Sequence, residues 1–166
     1  HMSDEESKLL NEFIAVGLAR YPEALTTLEK FREEIIRLLT EALTAELVAA
    51  GLTKAIPKFE PSRGADWISV FTSISLPNKR TIRLEVGVKW ESHYDGPAKL
   101  LFRLYDCASI FDILTDHAYP KPIQEWYRDG KKQSVHLCLP LTKDDLKNIG
   151  ARLQFLVTSC LKALPA

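Results

Sequence analysis

Residues 80–91 alternate without a break, and that pattern dictates a strand with one buried and one open side. Ile82, Leu84, Val86, Val88 and Trp90 point one way; Thr81, Arg83, Glu85, Gly87, Lys89 and Glu91 point the other. A period of two is the mark of a half-buried β-strand. Residues 66–76 and 99–106 flank this run and share its character. The links are short and rich in turn formers, Pro77–Asn78 in the first and Asp95–Gly96 in the second. Connections of that length make consecutive strands antiparallel neighbours. Residues 134–141 supply a further strand, with Val135, Leu137 and Leu139 inward.

Helices are expected at both ends. A first helix is predicted over residues 4–19, with Leu9, Leu10, Phe13 and Ile14 in its apolar stripe and acidic residues in its first turn. Tyr21–Pro22 is expected to break it, because a residue before proline is pushed out of helical geometry. A second helix then opens at Pro22 and closes at Gly51, with Leu28, Phe31, Ile35, Leu39, Leu43 and Leu47 on its apolar face. This second helix could be one long helix or two, because Thr26–Thr27 could re-start it. Residues 55–65 and 117–133 read as loops rich in Pro and Gly, and residues 107–117 as a short helix. Thr142, with Asp145 three residues on, caps a last helix over residues 142–164. The fold expected is α+β: an antiparallel meander of about four strands, with two N-terminal helices and one C-terminal helix packed on one face.

With 166 residues the chain is long enough for one domain, read as residues 1–166: helical over 3–51, sheet over 66–141. His1 and Met2 read as a cloning remnant and a start methionine. No signal peptide and no membrane span are visible, and three widely spaced cysteines suit reduced thiols, so a cytoplasmic location is expected. Basic and acidic residues balance at 22 each, which excludes nucleic-acid binding driven by bulk charge.

The open face of the sheet is the candidate site. It collects Trp67, Phe71, Arg83, Glu85, Lys89, Arg103 and Tyr105, joined by Ser69, Leu101, His136 and Cys138. Trp, Tyr and Arg are the residue types that most often anchor protein interfaces. A solvated face with ordinary ion pairs is the alternative, and a helix laid over it would make Trp67 and Phe71 core. Reversing Arg83 and Arg103 to Glu is expected to abolish partner binding and leave the melting temperature nearly unchanged.

Three chemical constellations compete with that reading. Asp66, Glu85 and Lys89, with Glu41 and Glu46 on the preceding helix, stand in an order that resembles the metal-dependent nuclease superfamily with a P-D…(D/E)-x-K core. The resemblance implies carboxylates holding Mg²⁺ and a lysine that helps activate water. The chain departs from the pattern at Gly87, where the family has lysine, and at Ala65, where it has proline. His136 and Cys138, with His93, His117 and Cys107, are candidate zinc ligands or a thiol–base pair, but no metal-ligand spacing is present. Trp126, Tyr127, Arg128, Lys131 and Lys132 interleave aromatics with cations, as a single-stranded nucleic-acid binder does.

No P-loop, dinucleotide or nucleophile-elbow motif occurs. The leading expectation is a non-catalytic protein-binding domain, of inhibitor, immunity or antitoxin type. It needs no cofactor and no metal, binds a protein partner and could form a homodimer. The alternatives are a nuclease-like phosphodiesterase, active or degenerate, and a nucleic-acid binder.

Overall fold

The computed structural model describes residues 2–53, 57–78 and 80–165. They fall into two compact units, residues 2–35 and 36–165. The expected segment 55–65 lies in part outside the described residues.

The first element is one helix, α1, Asp4–Ala49, where two were expected. Pro22 lies inside it instead of opening a second helix. Proline removes one backbone donor at a cost of about 3 kcal/mol. The Glu, Ala, Leu and Lys residues on either side are strong helix formers, and they outweigh that loss. Gly51 ends the helix as expected: its φ is +70°, and Leu52 N donates to Leu47 O at 3.0 Å.

In the second unit the described residues form a six-stranded antiparallel sheet in the order β1-β2-β3-β4-β6-β5. The strands are β1 Glu60–Arg63, β2 Trp67–Ser75, β3 Thr81–Lys89, β4 Lys99–Tyr105, β5 Gln124–Arg128 and β6 Val135–Pro140. β2, β3, β4 and β6 match the four expected strands. β1 and β5 fall where loops were expected, and both are edge strands. An edge strand pairs on one side only, so it needs neither length nor clean alternation. Pro61 is tolerated in β1 because proline has no donor to offer a ladder and survives at sheet edges. β5 carries a β-bulge between Glu125 and Tyr127. A short α2, Phe111–Asp116, follows β4, and α3, Ile149–Leu161, closes the chain.

Within the second unit, the described helices cover one sheet face. Ile68, Val70, Ile74, Ile82, Leu84, Val86, Leu100, Phe102, Leu104, Leu137 and Leu139 are buried there. They meet Leu153, Leu156, Val157 and Cys160 of α3 and the buried Leu39, Leu43 and Leu47 of α1 in one core. The capping box before α3 is formed: Thr142 N donates to Asp145 Oδ2 at 2.8 Å, and Asp145 N to Thr142 Oγ1 at 3.3 Å. A 3₁₀ turn, Asp144–Asn148, intervenes before the α-helix begins.

Candidate functional site

Strand register brings the residues of the open face together. Trp67 faces Lys89, Phe71 faces Glu85, and Ser73 faces Arg83 across β2 and β3. Arg83 faces Tyr105, and Glu85 faces Arg103, across β3 and β4. Arg103 faces His136, and Leu101 faces Cys138, across β4 and β6. All seven expected contact residues therefore share one surface.

Glu85 is the centre of that surface and is only 4% exposed. Its Oε1 accepts from Tyr105 OH at 2.7 Å and from Arg103 Nη1 at 3.2 Å; its Oε2 accepts from Ser69 Oγ at 2.7 Å. A buried carboxylate needs this many donors to offset its lost hydration. Burial, then the hydrogen bond to Glu85, holds the Tyr105 phenol above its ordinary range, so it stays a donor. Arg103 is consequently a structural charge rather than a free surface one. Arg83 stands apart: it pairs with Glu60 of β1 at 3.0 Å and lies over the Phe71 ring at 4.6 Å.

The feature that sequence reasoning placed elsewhere is Trp126. The bulge in β5 sends its indole over the sheet face, with the Arg103 guanidinium 4.3 Å and the Lys99 ammonium 4.4 Å from the ring centroid. Lys89 lies 5.9 Å from Trp126 and 6.0 Å from Trp67, between the two indoles, and pairs with Asp66 at 3.4 Å. Lys99 pairs with Glu91 at 2.9 Å. The result is a trough of about 330 Å³ with Trp67 and Trp126 as walls, Ser69, Glu85 and Leu101 along its floor, and Lys89 and Arg103 at its sides. A second hollow of about 280 Å³ adjoins it between Arg103, Trp126, Tyr127 and His136. Gly87, between Glu85 and Lys89 on this face, leaves room for the trough, because a side chain there would rise from the sheet under it.

His136 sits in an aromatic cluster, 5.7 Å from Tyr105, 6.3 Å from Trp126 and 5.2 Å from Tyr127, measured between ring centroids. Its Nε2 meets Ser134 Oγ at 2.9 Å, while its buried Nδ1 makes no hydrogen bond. Burial first, then the Arg103 charge, push its pKa below the ordinary 6.5. The unfolded chain therefore takes up a proton before the folded one does. Stability present above about pH 6.5 should fall as pH drops below that value, and His136→Phe should flatten this part of the profile. Melting temperatures measured from about pH 7.5 down to about pH 5 check it.

The other constellations are laid out differently. Lys89 meets Asp66, but both oxygens of Glu85 are engaged by Ser69, Arg103 and Tyr105. Glu41 pairs with Arg37 on α1, and Glu46 accepts from Gln154 of α3, so the helix acids do not line the trough. Among the described residues no three His, Cys, Asp or Glu side chains gather as metal ligands. Cys107 is buried, with its Sγ 3.3 Å from Gln133 O, and burial pushes its thiol up to about 11. The cation–aromatic segment divides: Trp126 joins the sheet face, and Arg128 is held by both oxygens of Glu125. Lys131 and Lys132 sit in a turn built on Asp129, which accepts from Lys131 N at 3.0 Å.

No helix among the described residues is long and apolar enough to cross a membrane. Comparison with protein-family models, curated proteins and solved structures finds no match to this chain.

Proposed function

We propose that this chain is a non-catalytic recognition protein that grips another protein through the open sheet face. The observation that supports it best is the trough between Trp67 and Trp126, already held in shape before any partner arrives. Lys89, Lys99 and Arg103 are stacked on indole rings and paired with Asp66, Glu91 and Glu85, so little side-chain freedom is left to lose on binding. Low ordering cost is what converts contact area into affinity. Trp67 remains 37% exposed and Tyr127 56%, which gives a partner two large rings to cover. An inhibitor or immunity-type role is the form of binding this arrangement suits: a firm surface that occupies a partner's working face.

The test is affinity capture with the wild-type chain and with Trp126→Ala, followed by calorimetry on the purified captured protein. Loss of a central anchor costs about 2 kcal/mol or more, so Trp126→Ala should bind roughly thirtyfold more weakly. Equal affinity of wild type and a folded Trp126→Ala variant would remove the trough from the interface.

A further inference from the structure

The first unit has an unexplained regularity. Leu10, Ile14, Gly17, Tyr21, Ala24, Leu28, Phe31 and Ile35 follow one another at alternating steps of four and three. That spacing averages 3.5 residues and is the seam of a coiled coil. Leu10, Ile14, Tyr21, Leu28 and Phe31 are all exposed, Tyr21 by 63%. Pro22 falls off the seam, so its missing donor does not disturb it.

We infer that residues 17–35 of α1 pair with the same segment of a second copy as an antiparallel coiled coil. The sizes of the seam residues decide the orientation. In a parallel pair each residue faces its own copy, so the Gly17 and Ala24 layers would be left as voids. In the antiparallel register Gly17 faces Ile35, Tyr21 faces Phe31, and Ala24 faces Leu28. Gly17 and Ala24 then oppose the larger Ile35 and Leu28, so neither leaves a void, while Tyr21 and Phe31 form an aromatic layer. Two-fold symmetry repeats these three layers, giving six. The same register sets Arg20 beside Glu34 of the other copy, twice, which is the charge complementarity that flanking positions use to choose partner and direction. Tyr21 is 63% and Phe31 44% exposed, so the four rings would supply about half of the roughly 600–1,000 Å² that four fully buried rings give. The exposed leucines of this segment add to it, toward the roughly 1,200 Å² at which stable interfaces begin.

The test uses the full chain. Light scattering should give about twice the 18.8 kDa chain mass. Leu28→Glu should give the single-chain mass. Arg20→Glu should raise the dimer dissociation constant several-fold, and Arg20→Glu with Glu34→Arg should restore it, a rescue that misfolding cannot mimic. Ala24→Cys should form little disulfide-linked dimer alone and form it readily when mixed with Leu28→Cys. A single-chain mass for wild type would overturn the inference, as would a dimer indifferent to Leu28→Glu or a failure of the charge swap to restore pairing. Ready linkage of Ala24→Cys to itself would overturn the antiparallel orientation.

Discussion

Replacing Arg103 by leucine should lower the unfolding free energy by about 3–5 kcal/mol, the usual cost of leaving a buried charge without its partner. The side chain of Glu85 is 5% exposed and that of Arg103 17%, so water cannot replace the lost guanidinium at the carboxylate. Urea denaturation measures the change, and the slope of the transition should stay constant. A second variant separates attraction from desolvation. Glu85→Leu/Arg103→Leu should recover most of the loss, because two apolar side chains need no charge partner. Recovery should be incomplete, since Ser69 and Tyr105 would lose the acceptor of their short hydrogen bonds. A loss below about 1 kcal/mol for Arg103→Leu would mean that the pair behaves as a surface salt bridge. The expectation of an unchanged melting temperature on reversing Arg83 and Arg103 is corrected on the same ground. Only Arg83, half-exposed and paired with Glu60, fits it; Glu at position 103 would face Glu85 across the ladder.

Gly87→Val should cost about 3 kcal/mol, near the upper end of the range for overpacking. A β-carbon at this position would lie 2.6 Å from Ser69 Cβ and 2.8 Å from the carbonyl oxygen of Ile68. Neither atom can swing aside, since one is fixed to the β2 backbone and the other belongs to it. The sign is what makes the position informative. Replacing a strand glycine normally helps, because glycine loses more freedom on folding than other residues do. Here the approach of two strands beneath the trough reverses it. Gly87→Ala should fall in the same direction with a smaller loss. A neutral or stabilising Gly87→Ala would show that β2 and β3 can part there without cost.

The strands legible in the sequence were those paired on both sides. β3 must bury Ile82, Leu84, Val86 and Val88 while exposing Thr81 and Arg83, and burial on one face alone imposes that alternation. β1 and β5 escape the same reading because little of them is buried; their residues answer to one neighbour and to water. The seven residues expected to form a contact were placed on one face by alternation, and register sets them side by side. Trp126 was visible as an aromatic among cations, but its destination was not. One extra residue in β5 turns it onto the sheet face, and a bulge has no residue signature here. The pairing of Lys99 with Glu91 was missed for a related reason: it spans the turn between β3 and β4 rather than a strand. The helix boundary at Pro22 failed because a proline penalty of about 3 kcal/mol is a local term, outweighed when the surrounding turns favour helix.

The two outer strands also determine how this sheet can meet other chains. β1 has four residues, one of them a proline with no N–H to share, and carries Glu60 and Arg63 at its ends. β5 is interrupted by its bulge and bears the Glu125–Arg128 ion pair. Short, charged or kinked borders are poor templates for an incoming strand. Growth of the sheet into filaments is thereby discouraged at both sides, although its central strands are long and apolar. A partner of the proposed kind would be left with side chains rather than backbone to recognise, so its selectivity would rest on the shape and charge presented to it.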